Sequence, residues 1–322
     1  MGRLLTVEGL TTEFKTERGV VRAVNQVSYT VDESEIVGLV GESGCGKSVS
    51  QLSVMQLIPT PPGRIVSGTI DFDGEDFLKY DRNSNEMCGI RGNKISMIFQ
   101  EPMTSLNPAL TVGKQLSEVL MEHRGAAKEE ARERAADMLK QTGIPDPKKR
   151  MDDYPHQMSG GMRQRVMIAM AMVCNPKMII ADEATTALDA TIQAQILELL
   201  YKMVHEHKTA LMLVTHNLGI VARYAHRISI MYAGKIVETG TVNEIWDNPA
   251  HPYTRGLIKC VPVLGEKMVP IQGMPPNLID RPETCAFLAR CKERRKSCFK
   301  EPVAELTNIG GTHYTACTKG SE

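Results

Sequence analysis

No apolar run in the sequence approaches the roughly 18–20 residues that a membrane-spanning helix needs, so the chain is not expected to cross a bilayer as a helix. Neither sign of charge is in surplus: 38 Lys and Arg balance 38 Asp and Glu. Nucleic-acid binders carry a clear positive excess, so no nucleic-acid partner is expected. No secretory apolar stretch follows Met1-Gly2-Arg3-Leu4, and no export leader is read there. Gly2 with Thr6 fits a short lipidation pattern, but such a pair arises readily by chance and no anchor is assigned. Internal repeats, low-complexity linkers and long heptad runs are also missing, which excludes a repeat array and a coiled-coil arm. What remains, at 322 residues with 42% apolar and 24% charged, is a globular chain of one large domain or two unequal ones.

Periodicity sorts the chain into an α/β pattern. Residues 7–31 alternate loosely and are rich in β-branched side chains, as edge or antiparallel strands are. Ile36-Val37-Gly38-Leu39-Val40 is a short continuous apolar run, suited to a central strand covered on both faces. A helix is predicted over 50–58, stopped by Pro59, Pro61, Pro62 and Gly63. Residues 95–99 are a further strand candidate. From about 101 to 170 the character turns helical. Ala127, Ala131, Ala135, Met138 and Leu139 share one helical face there, and Glu130 precedes Arg134 by one turn. Strand signals return at 178–181, 210–215 and 228–232, with a helix-like stretch at 192–205, so a largely parallel sheet is expected. Beyond about 250 periodicity fades and Pro and Cys rise, which reads as an appended, loop-rich tail.

Gly41-Glu42-Ser43-Gly44-Cys45-Gly46-Lys47-Ser48 satisfies G-x-x-x-x-G-K-[ST] after a buried strand and before a helix, the context the motif requires. Glycines let successive backbone N–H groups turn inward around phosphate oxygens, and the helix N-terminus adds partial positive charge. Lys47 is expected on the β and γ phosphates and Ser48 on Mg²⁺, while Cys45 fills an unrestricted position. Downstream, strand 178–181 ends in Asp182 and Glu183. Asp182 is placed for the Mg²⁺ shell, and Glu183 for orienting or deprotonating a water at the γ phosphate. These residues alone specify only an NTPase.

Met158-Ser159-Gly160-Gly161-Met162-Arg163-Gln164-Arg165 narrows that class. It resembles the signature motif of the ATP-binding-cassette ATPases, with Met158 where the family usually has Leu. Ser159, Gly160 and Gly161 would open a helix whose N–H groups face an anion, with no phosphate loop beside it. Such a site makes sense when its phosphate comes from a second subunit. The resemblance spans about residues 4–250 and implies roles for further positions. Gln100 is similar to the Q-loop glutamine that touches Mg²⁺ or the attacking water. Ala187-Leu188-Asp189 resembles the D-loop at the dimer interface, and His216 the switch histidine on the γ phosphate. Phe14 is the implied adenine-stacking aromatic, with Tyr29 as the alternative. The family usually places Pro after the catalytic Glu; here Ala184 leaves Glu183 in place and gives the following turn more freedom.

The implied fold is α/β, a P-loop NTPase core of ATP-binding-cassette type. It carries an antiparallel β subdomain, a helical insert and a Cys-rich C-terminal extension. The cassette is expected at 1–250 with its helical subdomain at about 101–170, and the extension at 251–322. ATP would join two cassettes and hydrolysis release them.

Glu101-Pro102-Met103-Thr104-Ser105-Leu106-Asn107-Pro108, Tyr154-Pro155-His156-Gln157, Ile192-Gln193-Ala194-Gln195 and His251-Pro252-Tyr253-Thr254 together resemble the dipeptide/oligopeptide (and nickel) importer branch. The resemblance implies a peripheral ATPase subunit on the cytoplasmic face of the cell membrane. It implies two integral membrane permease subunits, docked at the groove between the core and the helical insert 101–170, and an extracytoplasmic peptide-binding protein acting through them. It also implies a second cassette ATPase, a different chain in preference to a second copy. A nickel or other small-solute importer, or a soluble cassette ATPase acting on nucleic acid or ribosomes, is the alternative.

Of the cysteines, Cys45, Cys88, Cys174 and Cys260 are scattered, while Cys285, Cys291, Cys298 and Cys317 crowd the C-terminal end. A secreted disulfide scaffold would spread them through a small chain, so the pattern reads as a metal site in a cytosolic protein. Four thiolates can hold [4Fe–4S] or tetrahedral Zn²⁺, and the lack of a C-x₂-C pair disfavours a zinc ribbon. Free thiols or a redox disulfide are the remaining reading. Arg290, Lys292, Arg294, Arg295, Lys296 and Lys300 outnumber Glu293 nearby, and are expected to lower the thiolate pKa and offset a negative cluster. Some of the importer ATPases that the chain resembles carry [4Fe–4S] on four such cysteines, which implies that cluster here.

Overall fold

Strands β1 (Arg3–Thr16) and β2 (Gly19–Asp32) form an antiparallel hairpin, and β1 also pairs with β4 (Gly63–Phe72). With β5 (Glu75–Asp76) they make a four-stranded antiparallel sheet in the order β2-β1-β4-β5. The loose alternation of the sequence has a cause: β1 shifts register between Val7 and Leu10 and again between Leu10 and Thr12. Each shift resets which residues face the core, so a strict period of two never runs far. The structure, a computed structural model, describes residues 2–101, 105–185, 189–262, 265, 269–279, 284–299 and 305–317.

The chain divides into two compact units. The first comprises Met1–Asp32, Ile36–Lys79 and Leu213–Glu322, the second Glu33–Glu35 and Tyr80–Met212. In the first, β3 (Ile36–Val40) runs parallel to β9 (Arg227–Tyr232), which turns into the antiparallel β10 (Lys235–Thr241). Every residue of β3 is buried, as its unbroken apolar run requires. Gly38 is there for space: a Cβ would lie 1.9 Å from Val221 Cγ1 on the helix Leu218–Tyr224. The sheet continues through β12 (His313–Thr315) to β11 (Thr307–Gly310), so the order in this unit is β11-β12-β10-β9-β3.

In the second unit β6 (Ile95–Ile98) and β7 (Met178–Asp182) are parallel, and β8 (Ala210–Thr215), whose N-terminal half belongs here, flanks β7. The expected helical stretch is present as Val112–Arg124, Lys128–Gln141, Pro147–Arg150 and Gly160–Met172. Thr111 caps the first of these, its side chain accepting from Lys114 N–H, and Gly125 ends it at φ 61°.

Three expectations need correction. The helix predicted over 50–58 is Lys47–Val54 instead. It starts within the phosphate motif, at Lys47, and stops before the prolines, because Gln56 turns to φ 49° and donates its amide to the Phe77 carbonyl. In Lys128–Gln141 the buried face is Ala131, Ala135, Ala136, Met138 and Leu139, while Ala127 is the exposed N-cap. The C-terminal stretch is not only loop: it contributes β11, β12 and the helix Pro252–Lys259. Buried Glu238 fastens it, accepting from Ala250 N–H, His251 N–H and His313 Nε2 at 2.7–2.8 Å.

Candidate functional site

The phosphate loop follows β3 directly in the first unit. Lys47, the first helical residue, is 4% exposed and donates from Nζ to the carbonyls of Gly41 (2.9 Å) and Glu42 (3.2 Å). Gly46 sits at φ 104°, and a Cβ there would lie 2.2 Å from the Ala23 carbonyl oxygen, so dihedral and space both demand glycine. Ser43 and Gly44 face solvent and Ser48 is half-buried. Cys45 takes part through its backbone, its N–H donating to Glu42 O and its carbonyl accepting from Gly234 N–H. Its side chain is packed inside, where burial pushes the thiol up. A strand-to-helix loop with glycines and a lysine is the chemistry that suits a phosphate group.

In the same unit His216 stands exposed just past β8. The turn is set by Asn217, whose N–H donates to Thr215 Oγ1 and whose side chain caps the helix Leu218–Tyr224. Phe14 is half-buried on β1, against Gly63 on β4. Tyr29 is removed as an adenine-stacking candidate. It is buried, bonded to the Gln51 amide at 3.1 Å, and burial raises its phenol to about 12.

The acidic pair lies in the second unit. Asp182 is the buried last residue of β7, and Glu183 follows at φ 45°. Gln100, exposed just beyond β6, donates from Nε2 to Glu183 Oε2 at 3.2 Å. Glutamine and glutamate from strands distant in sequence are thereby brought together, which neither motif alone required. Ser159 caps the helix Gly160–Met172, its hydroxyl accepting from Met162 N–H at 3.3 Å. Met158, where the family usually has Leu, is 4% exposed, a position its flexible apolar side chain tolerates. Asp189 caps the helix Ala190–Glu206; Ala187 and Leu188 lie outside the described residues, as do Pro102, Met103, Thr104 and Lys300.

Cys285, Cys291, Cys298 and Cys317 line one cavity of the first unit, with Phe287, Arg294 and Arg295 also in its wall. None of the four is in a disulfide. Among the described residues no group of three or more His, Cys, Asp and Glu converges to hold a metal ion. The expected lowering of the thiol pKa is not found at Cys285 or Cys291, where burial pushes both thiols up. Arg290 is spent elsewhere: it grips the Glu42 carboxylate, which holds its guanidinium above the ordinary arginine value. Sequence reading missed that contact, because 248 positions separate the two residues and no local pattern links them.

Residues 24–186 match the ABC transporter family, and residues 237–298 match the oligopeptide/dipeptide transporter C-terminal region. The chain is 48% identical to the oligopeptide transport ATP-binding protein OppD of Bacillus subtilis, over 97% of this chain and 87% of that protein. It is 48% identical to the dipeptide transport ATP-binding protein DppD of Escherichia coli, over 94% of this chain and 92% of that one. Among solved structures, the dimeric post-hydrolysis state of the ATP-binding cassette MJ0796 bound to ADP and Pi aligns with a TM-score of 0.66 at 29% identity. That likeness covers 74% of this chain and 99% of the other. A strand-to-helix phosphate loop, an acid-ended strand bonded to a glutamine and a Ser-Gly-Gly helix cap, together with these matches, establish that the chain belongs to the ABC transporter family as an ATPase cassette carrying the oligopeptide/dipeptide transporter C-terminal region.

Proposed function

We propose that this chain is the ATP-hydrolysing subunit that powers import of dipeptides or oligopeptides through separate membrane permease subunits. The observation that carries the reading is the joint match to cassette and C-terminal region, with relatives named as oligopeptide and dipeptide transport ATP-binding proteins along nearly the whole chain. Among the described residues no helix is long and apolar enough to cross a membrane, which fits a subunit that works on permeases made of other chains. Residues 1–250 form the cassette in this reading, with the helical subdomain at about 101–170, and 251–322 form the extension. The subunit sits on the cytoplasmic face, paired with a second cassette ATPase and fed by an extracytoplasmic peptide-binding protein.

The phosphate loop binds ATP, with Lys47 on the β and γ phosphates and Phe14 against the adenine. Ser48, Asp182 and Gln100 offer a hydroxyl, a carboxylate and an amide, the hard oxygen donors that suit Mg²⁺. Bound there, the ion supplies charge neutralisation on the phosphates. Gln100 orients the Glu183 carboxylate, and Glu183 takes the proton of a water as its oxygen bonds the γ phosphorus and the bond to the β-phosphate oxygen breaks. His216 contacts the γ phosphate, and Ser159, Gly160 and Gly161 complete the site of a partner cassette.

The four cysteines hold a [4Fe–4S] cluster. Support comes from their arrangement: all four line one cavity. The lack of a C-x₂-C pair disfavours a zinc ribbon. Arg294 and Arg295 in the wall offset its negative charge.

Deleting the gene tests the transport reading. Loss of ATP-dependent dipeptide uptake, and recovery of two permeases and a second cassette with the tagged chain, are expected. Intact peptide uptake with lost nickel uptake, or soluble partners only, would overturn it. Anaerobic purification with iron, sulfide and zinc analysis tests the cluster, with iron and labile sulfide in equal amounts expected.

A further inference from the structure

Glu42, the second residue of the phosphate loop, is held from three sides within the first unit. Its N–H donates to Tyr253 Oη at 2.9 Å. Its carbonyl accepts Lys47 Nζ at 3.2 Å. Its carboxylate accepts two bonds from one guanidinium, Arg290 Nη1 to Oε2 at 2.7 Å and Nη2 to Oε1 at 2.9 Å. Tyr253 lies on the helix Pro252–Lys259, and Arg290 directly precedes Cys291 in the wall of the cysteine cavity.

The Arg290 side chain is only 5% exposed and that of Glu42 25%. The guanidinium stands 5.8 Å from the ring centroids of both Tyr232 and Phe287. Those rings pack on each other and on Tyr253 at 4.5–5.5 Å. A planar fork fitted to a carboxylate and shielded by aromatic faces is a strong, oriented contact. Position 42 is unrestricted in the phosphate-loop motif, so nucleotide binding itself does not ask for a carboxylate there. An unpaired carboxylate at that point would repel a polyphosphate; the guanidinium cancels its charge and fixes its direction.

We propose that Arg290 is a positioning residue for ATP. It ties the phosphate loop to the cysteine-bearing segment, so that ATP affinity depends on the order of that segment. The inference stands on the phosphate loop and not on what the cysteines hold.

Steady-state ATP hydrolysis by the full chain, with nucleotide-analogue titration, tests it. Arg290→Gln is expected to raise KM about tenfold, the loss of one charge-assisted fork, while kcat stays within about twofold. Glu42→Gln should raise KM in the same direction, and the double variant should be no worse than the worse single one. Arg290→Lys should recover only part, since an ammonium cannot make the fork. Cys291→Ser should raise KM in the wild-type chain and add nothing to Arg290→Gln. An unchanged KM in Arg290→Gln, a loss confined to kcat, additive single effects, or a Cys291→Ser effect that persists in Arg290→Gln would each overturn the proposal. Should Arg290→Gln fail to fold, Glu42→Gln alone decides, because it removes the charge and keeps the shape.

Discussion

The phosphate loop and the start of the helix Gly160–Met172, both proposed as anion sites made of backbone N–H groups, are built in opposite ways. At the loop, Lys47 is buried, Gly46 is pinned against Ala23, and Glu42 is gripped through backbone and side chain. At the helix start, Ser159 is exposed, Gly160 and Gly161 are half-buried, and the hydroxyl makes a single 3.3 Å bond to its own helix. Buried Met158 and Arg163, which donates to the Met158 carbonyl at 2.6 Å, support it. A site that binds an anion within one chain gains from burial and preorganisation. One that completes a partner's site has to stay open. The Gln100–Glu183 pair follows the second pattern, polar and solvent-facing beside a buried Asp182.

The contrast can be broken by substitution. Glu183→Gln should give the largest effect, a turnover loss of about 10²–10⁴ from removing the proposed general base, with nucleotide affinity kept. Phosphate release and analogue titration separate the two, and retained turnover would move the base elsewhere. Lys47→Ala should lower turnover by about 10²–10³ and weaken nucleotide binding as well, because the buried ammonium serves ground state and transition state alike. Ser159→Ala should destabilise the chain by about 1 kcal/mol through the lost cap, read from denaturant midpoints. It should lower turnover while leaving nucleotide affinity of the separated chain intact; weakened affinity there would erase the distinction between the two sites. Ala184→Pro should have the smallest effect. A proline disfavours helical-type dihedrals in the residue before it, and Glu183 sits at φ 45°, so a loss of about 1 kcal/mol in stability is expected. A raised midpoint would mean that Glu183 relaxes to an extended conformation without strain.

Much of this was legible beforehand because it is local. A continuous apolar strand followed by G-x-x-x-x-G-K-S needs only its own residues to make a loop and a helix start, and β3 and Lys47–Val54 appear there. Ser159 was readable as a cap because capping acts over three residues. The choice between Phe14 and Tyr29 was not readable, since both alternate on β strands; burial and the bond to Gln51 remove Tyr29. The basic run around the cysteines misled in one respect. Counting charges along the chain ignores desolvation, which raises Cys285 and Cys291, and ignores that Arg290 is committed to Glu42.

By itself the sequence determined the α/β class, the nucleotide motif, the acidic strand end and the helix cap, because each depends on contacts within a few residues or on simple periodicity. Tertiary structure alone decided which carboxylate meets Gln100, which aromatic is buried, where the four cysteines gather and what grips Glu42. Those are contacts between residues tens to hundreds of positions apart, and their geometry exists only once the strands and the C-terminal segment have packed.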